Sequence, residues 1–531
     1  MMTEIRENQR MSSSTFEKKK SAPNGVIRLI ITGVAAVIDI AAVVLLLLLG
    51  NYYVRYFTVV LNLLAVLLSL VIFSQPKPAT IKMPWLILIL SFPPFGFIMY
   101  LCIGLSSSLF GASKRYREVN RRLKGFYEKE ESVIDHLDAV DPFFTGVSKY
   151  LQNRMGYSLY ENSDITYFGE TTECLDDMIA HLEQAKEFIF MEYFAIEDSE
   201  AFHRVLDVLE RKAKEGVLVR VFYDDLGSIG FIGFSFAKKL RDLGIECRVF
   251  NPCSVFANFF LNNRDHRKIM VIDGKVGYTG GFNMADEYFH LTEPYGHWFD
   301  AAVRIEGDAV RSLTLIFLEN WSAHKQARKE EAEADLEKYL PAAEYAPREQ
   351  CFVQPYADNP TDNERTGENV YLSIINAARE YVYISTPYLI ITDEMVSALT
   401  LAARRGVDVR IVTPGIPDEK MVYSITRSYY HTLARDGVRI YEYTPGFNHA
   451  KLCVADDAVA ACGTINFDYR SLYHNFEDGC VFYHCNAVVR ERENLEEVFG
   501  ASNEVSGKYA DRRGGFLHLW QILLRLIAPL L

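Results

Sequence analysis

Three apolar runs stand out near the start of the chain: Leu29 to Leu49, Phe57 to Phe73 and Pro84 to Leu105. A bilayer-spanning helix takes roughly 20 such residues, so the first and third are long enough and the second is at the short end. The third holds Pro93, Pro94 and Gly96, which predict a kink or a re-entrant turn. Residues 26–110 therefore read as a membrane region with spans near 29–49, 57–73 and 84–105. Ahead of it, residues 1–25 are polar, rich in Ser and Lys, and read as a disordered tail without a signal-peptide cleavage pattern. The other end of the chain, 513–531, reads as an amphipathic helix. Its place is either the membrane interface or the surface of the globular part.

From residue 111 the pattern changes to short apolar strands alternating with amphipathic helices, and it does so twice. Glu187 to Tyr193 predicts a buried strand, a helix follows to Lys212-Ala-Lys-Glu-Gly216, and Val217 to Tyr223 predicts the next strand. Glu380 to Ser385, a helix ending at Ala403-Arg-Arg-Gly406, and Val407 to Val412 repeat the order. The glycine after each helix occupies a C-cap position. Strand–helix–strand twice over predicts an α/β fold with parallel βαβ units in two similar halves, 111–345 and 346–512. The charge-rich stretch from Lys325 to Lys338 predicts a solvated helix joining them.

Composition changes this picture in two ways. The formal charge of −13 leaves no global basic field for nucleic acid. Lysines 18–20 precede the first run, and the larger cluster from Lys114 to Lys124 follows the third. By the positive-inside tendency the larger cluster places the globular part in the cytoplasm of a multi-pass cell-membrane protein. The nine cysteines include no Cys-x-x-Cys pair and read as reduced thiols.

The chemistry lies in a motif that occurs once per half, within 261–288 and 444–471. His266-Arg267-Lys268 is followed by Asp273, and His449-Ala450-Lys451 by Asp456. The tails match as well, Gly280-Gly-Phe-Asn283 and Gly463-Thr-Ile-Asn466. His and Lys two apart on a strand share a face. Lys268, Lys451, Asn283 and Asn466 can neutralise phosphoryl oxygens, while two imidazoles divide nucleophilic attack from protonation of the leaving oxygen. Two copies are needed because one supplies a single imidazole. Each Asp falls near a turn, which favours a structural task. Glu477 is the candidate to orient His449, and Glu293 the candidate for His266. His290, His297 and His474 flank the motifs. No His/Cys/Asp grouping has metal-ligand spacing in sequence, so neither a metal nor another cofactor is expected.

These residues resemble the phospholipase D superfamily, whose signature is His-x-Lys-x4-Asp with a downstream Gly-x-x-Asn. More narrowly, the chain is similar to the bacterial cardiolipin synthases, through Met83-Pro-Trp-Leu-Ile-Leu, Phe92-Pro-Pro-Phe-Gly, Phe250-Asn-Pro252, Gly280 to Tyr288, Gly463 to Ser471, Asn475-Phe-Glu477 and the Ala528-Pro-Leu-Leu531 ending. The resemblance implies two halves forming one pseudo-twofold catalytic unit. It implies that two phosphatidylglycerols become cardiolipin and glycerol through a phosphohistidine, with His266, Lys268, Asp273, His449, Lys451 and Asp456 as the active-site set. Gly281 stands where many relatives of the wider superfamily have Ser. A hydrolytic phospholipase D, another phosphatidyltransferase, a nuclease and an inactive membrane scaffold are the rival readings. The acidic balance and apolar runs oppose the nuclease, and the complete twin motifs oppose the scaffold.

Overall fold

The computed structural model describes residues 54–75, 77–104, 112–127, 130–252, 263–324, 336–341, 345–510 and 519–530. The polar tail, the first apolar run and most of the stretch from Lys325 lie outside the described residues.

Strand β1 (Ser163–Phe168), β2 (Phe188–Tyr193), β3 (Leu218–Asp224), β4 (Glu246–Phe250), β5 (Lys268–Ile272), β6 (Val276–Gly280), β7 (His297–Phe299) and β8 (Ala302–Gly307) belong to the first half. Seven of them form one sheet in the order β1-β8-β6-β5-β2-β3-β4. The second half contains β9 (Phe352–Asp358), β10 (Tyr381–Ser385), β11 (Asp408–Pro414), β12 (Arg439–Tyr443), β13 (Gly446–Asn448), β14 (Leu452–Ala455), β15 (Val459–Gly463), β16 (Glu477–Tyr483) and β17 (Ser502–Glu504). Its sheet runs β17-β12-β11-β10-β14-β15-β16-β9, which is the first order again with β17 added at one edge.

The expected βαβ units are present. The helix Glu200–Lys214 connects β2 to the parallel β3, and Asp393–Arg404 connects β10 to the parallel β11. Gly216 and Gly406 end these helices at φ of 95° and 96°, a left-handed conformation that glycine adopts without a Cβ penalty. The sheets are mixed rather than parallel, because the motif strands β5 and β14 run antiparallel to β2 and β10. β2 and β14 are buried along their whole length, being covered on both faces. One apolar core runs through both halves, joining Phe190, Phe317, Phe352 and Phe476.

Ahead of the first half, Val54–Ser74, Ala79–Ser91 and Pro93–Met99 are helical. The expected break occurs at Phe92 (φ −134°, ψ 69°), the residue before Pro93, where proline disfavours helical backbone. A Cβ on Gly96 would lie 2.6 Å from the Ile89 Cα, so glycine lets the third helix fold against the second. Val59, Leu63, Leu67, Leu70 and Phe73 leave an exposed apolar stripe on the first helix. Among the described residues no helix is long and apolar enough to cross a membrane. The C-terminal helix Leu519–Ile527 packs against both Lys420–Arg435 and Ala79–Ser91, with the Arg525 guanidinium 4.0 Å above the Tyr429 ring.

Candidate active site

The two histidines precede the motif strands rather than lying in them, and each is anchored to the opposite half. The His266 N–H donates to the Phe476 carbonyl (2.8 Å), and the Phe476 N–H donates to the Arg264 carbonyl (2.8 Å). In the mirrored place, β13 pairs parallel with β7, and the His449 N–H donates to the Phe299 carbonyl (2.8 Å). The residue after each of those phenylalanines is an acid. Glu477 Oε2 lies 2.7 Å from His266 Nδ1, and Asp300 Oδ2 lies 2.6 Å from His449 Nδ1. Each half's imidazole is therefore held by the other half's carboxylate.

This corrects both expected pairings. Glu477 serves His266, the place expected for Glu293, and Asp300 serves His449, the place expected for Glu477; Glu293 is exposed on the loop before β7. The signal that finds Asp300 is the repeated dipeptide Phe299-Asp300 and Phe476-Glu477, read across the two halves. Nearness in sequence is no guide when the two sheets exchange partners.

With each acid as a carboxylate, Nδ1–H donates to it and Nε2 keeps its lone pair; Lys451 Nζ also lies 2.8 Å from His449 Nδ1 and competes for that nitrogen. Phe194 meets His266 edge-on at 5.0 Å between centroids, and Tyr288 meets His449 at 5.3 Å. Lys268 Nζ donates to the His266 carbonyl (2.6 Å), and Lys451 Nζ to the His449 carbonyl. Desolvation first, and then the fields of Lys268, Lys451 and Arg470, hold His266 well below the usual imidazole range. Desolvation and Lys451 press His449 down to about 3, against the pull of Asp300. Both imidazoles are neutral at pH 7 in the free protein. Burial also lowers Lys268 to about 8 and Lys451 to about 7, while it raises Glu477 to about 7. That each lysine acts on the opposite histidine places both motifs in one electrostatic centre.

The acids have unequal supports. Glu477 accepts from the Thr464 hydroxyl (2.5 Å) and from Asn475 Nδ2 (3.1 Å). Asp300 accepts from the Ala301 N–H (2.9 Å), and Gly281 lies so close that an added Cβ would come within 2.0 Å of Oδ1. Gly281 thus stands where the second half has Thr464, and no side chain fits there. Asp478, another residue unforeseen from sequence, accepts from the Lys268 N–H (3.1 Å) and the Thr279 hydroxyl.

The remaining expected residues fall as follows. Asn283 and Asn466 are both buried. Asn283 Oδ1 accepts from the Ala195 N–H (3.1 Å), and Nδ2 donates to the Tyr288 hydroxyl (2.7 Å). Asn466 Oδ1 has no hydrogen-bond partner among the described residues. Asp273 and Asp456 lie apart from the histidines, at the far ends of β5 and β14. Asp273 accepts from the N–H groups of Lys186, Glu187 and Phe188, and Asp456 from those of Arg379, Glu380 and Tyr381. Both adopt left-handed backbone, with φ of 53° and 54°. They tie the motif strand to the start of its neighbour. His474 is half-buried outside the pair, lining a cavity of about 50 Å³ together with Lys77, Ile81 and Asn475.

Two segments of the chain, 178–314 and 371–499, match the family described as cardiolipin synthase, PLD-like domain, and 60–104 match the phospholipase D-nuclease N-terminal family. A cardiolipin synthase of Alkalihalophilus pseudofirmus is 32% identical over 95% of this chain and 99% of its own length. The chain belongs to the cardiolipin synthase family. Cardiolipin synthase 1 of Staphylococcus aureus is 32% identical over 89% of this chain and 96% of its own. An uncharacterised protein of Streptococcus mutans is 38% identical over 84% and 96%. In fold, the family member is similar to the phosphatidylserine synthase of Haemophilus influenzae, with a TM-score of 0.52 at 15% identity, over 72% of this chain and 97% of that one.

Proposed function

We propose that the protein is a cardiolipin synthase that moves a phosphatidyl group from one phosphatidylglycerol to another. The observation that carries this reading is the crossed histidine–acid arrangement inside a chain of this family.

One imidazole attacks phosphorus through Nε2. The bond between phosphorus and the glycerol oxygen breaks, and the oxygen takes a proton from the other imidazole, forming a phosphohistidine and free glycerol. A second phosphatidylglycerol then gives its hydroxyl proton back to that imidazole and attacks phosphorus. The P–N bond breaks, and cardiolipin leaves. The acid histidine must be protonated for the first step, yet it is neutral in the free protein. An arriving phosphodiester anion offsets the lysine charges that depress it, so substrate itself raises its proton affinity. Lys268 and Lys451 balance the growing charge on the phosphoryl oxygens, with Asn283 and Asn466 lining their side of the centre. Asp273 and Asp456 keep the motif strands in register.

The lipid substrate also accounts for the membrane-side helices. The apolar runs near 29–49, 57–73 and 84–105 anchor the catalytic halves in the cell membrane, with the catalytic part in the cytoplasm. The apolar stripe of Val54–Ser74, and the place of Ile81 on Ala79–Ser91 beside the segment 472–475, support a site that opens toward lipid. Holding enzyme and substrate in one surface raises their effective concentration.

The test is product analysis of the detergent-reconstituted protein given phosphatidylglycerol alone. Cardiolipin plus glycerol, lost in both His266→Ala and His449→Ala, is the expected result. Phosphatidic acid without cardiolipin makes the protein a hydrolase, and no product at all overturns phosphatidylglycerol as donor.

A further inference from the structure

Beside the catalytic pair, and unused by the chemistry above, two imidazoles and a carboxylate converge. Glu170, His290 and His297 each place one ligand atom within 4.8 Å of the other two. We propose that they form a binding site for a zinc-like transition-metal cation.

The three come from separate elements that are fastened together. Glu170 precedes the helix Thr171–Leu182, and the Thr171 hydroxyl donates to the Tyr288 carbonyl. His290 closes the turn Asp286–Phe289 in left-handed backbone, at φ 54°. His297 opens β7. A histidine in that backbone region is uncommon and persists where its surroundings hold it. The two rings stack at 4.5 Å between centroids, and His290 Nε2 is 3.5 Å from Glu170 Oε2. His290 Nδ1 is buried without a hydrogen-bond partner among the described residues.

A tetrahedral ion with bonds of roughly 2.0–2.1 Å sets its ligand atoms about 3.4 Å apart. The His290–Glu170 distance already meets this, and small ring rotations bring in His297. The Tyr443 hydroxyl, 2.9 Å from His297 Nδ1, can accept a hydrogen bond from Nδ1–H, which leaves Nε2 for the ion, the outer-shell arrangement that fixes a ligand tautomer. Two imidazoles and one carboxylate suit zinc and its neighbours over magnesium or calcium. Three protein ligands leave a fourth position for water. An ion here ties the 286–297 loop to the strand that leads into Asp300.

The experiment is calorimetric titration of Zn²⁺ into the full-length protein in detergent, with Co²⁺ absorption as a second readout. One ion per chain is expected, with tetrahedral Co²⁺ bands. Affinity falls more than about tenfold in His290→Ala and in Glu170→Gln. Glu170 is half-exposed, so its variant tests the site even where the histidine variant does not fold. Absence of binding by the wild-type chain, or binding that both folded variants retain, overturns the proposal. Binding that is lost instead in His266→Ala or His449→Ala overturns it too, by placing the ion at the catalytic pair. None of these readouts depends on lipid turnover.

Discussion

Asp300 and His449 lie 149 residues apart in the chain and 2.6 Å apart in space, each in a different half of the molecule. With Glu477 on His266 the arrangement is reciprocal. Orientation of each imidazole is thus a property of the assembled pair of halves.

Asp300→Asn and Glu477→Gln are expected to leave the fold intact and lower kcat by roughly 10²–10⁴-fold with little change in KM, since an amide in that place stabilises the wrong tautomer. Steady-state kinetics on phosphatidylglycerol in mixed micelles measures this. A loss confined to KM contradicts the orienting role.

Gly281→Ala forces a methyl against the Asp300 carboxylate, which is buried and has nowhere to retreat. A displacement of about 1 Å at an orienting group costs on the order of 10²-fold in rate. Thr464→Val removes one donor to Glu477 without a clash, and its loss is expected to be smaller. The order of the two rate constants, compared in variants that melt normally, is the check.

Asp456→Ala removes an acceptor shared by three backbone N–H groups and a residue type that tolerates positive φ. Destabilisation of about 1–3 kcal/mol is expected, with turnover per folded molecule within about tenfold of wild type. Denaturant unfolding read beside active-site kinetics separates the two effects. Loss of turnover on the scale of His449→Ala would give Asp456 a direct part in the chemistry.

Lys451 is buried and its ammonium is lowered from 10.5 to about 7. A lysine with a depressed folded value costs stability fully below that value. The cost fades as pH rises toward the unfolded value, because the unfolded chain then binds the extra proton less and less. Lys451→Met is expected to abolish turnover while raising the melting midpoint by a few degrees near pH 6–7. The gain narrows as pH rises above about 7. Thermal melts of both proteins across that range decide it, and a gain that widens with pH contradicts the assignment.

The repeat was the most legible part of the fold. Strand–helix–Gly–strand recurs around Gly216 and Gly406 because left-handed helix endings favour glycine, and the break before Pro93 follows from proline's own geometry. The mixed sheet was not legible. Hydrophobic period marks β5 and β14 as strands but carries no information on their direction. At the site, the histidines and lysines were visible through exact repetition, whereas their acids were not. Sequence pairs Glu477 with His449 and Glu293 with His266, whereas Glu477 faces His266 and Asp300 faces His449. Nothing local to an acid records which half it will face. Aligning Phe299-Asp300 with Phe476-Glu477 supplies the missing information, since symmetry relates residues that proximity does not.

The crossing also bears on the time during which the protein is being made. His266 leaves the ribosome 211 residues ahead of Glu477, an interval on the order of ten to forty seconds at bacterial elongation rates. Throughout it the first imidazole has no acid to aim it, and the second, His449, is made only near its end. A nascent chain already touching the membrane is therefore inert toward the lipids around it, and the capacity to cut them arrives only with the second half.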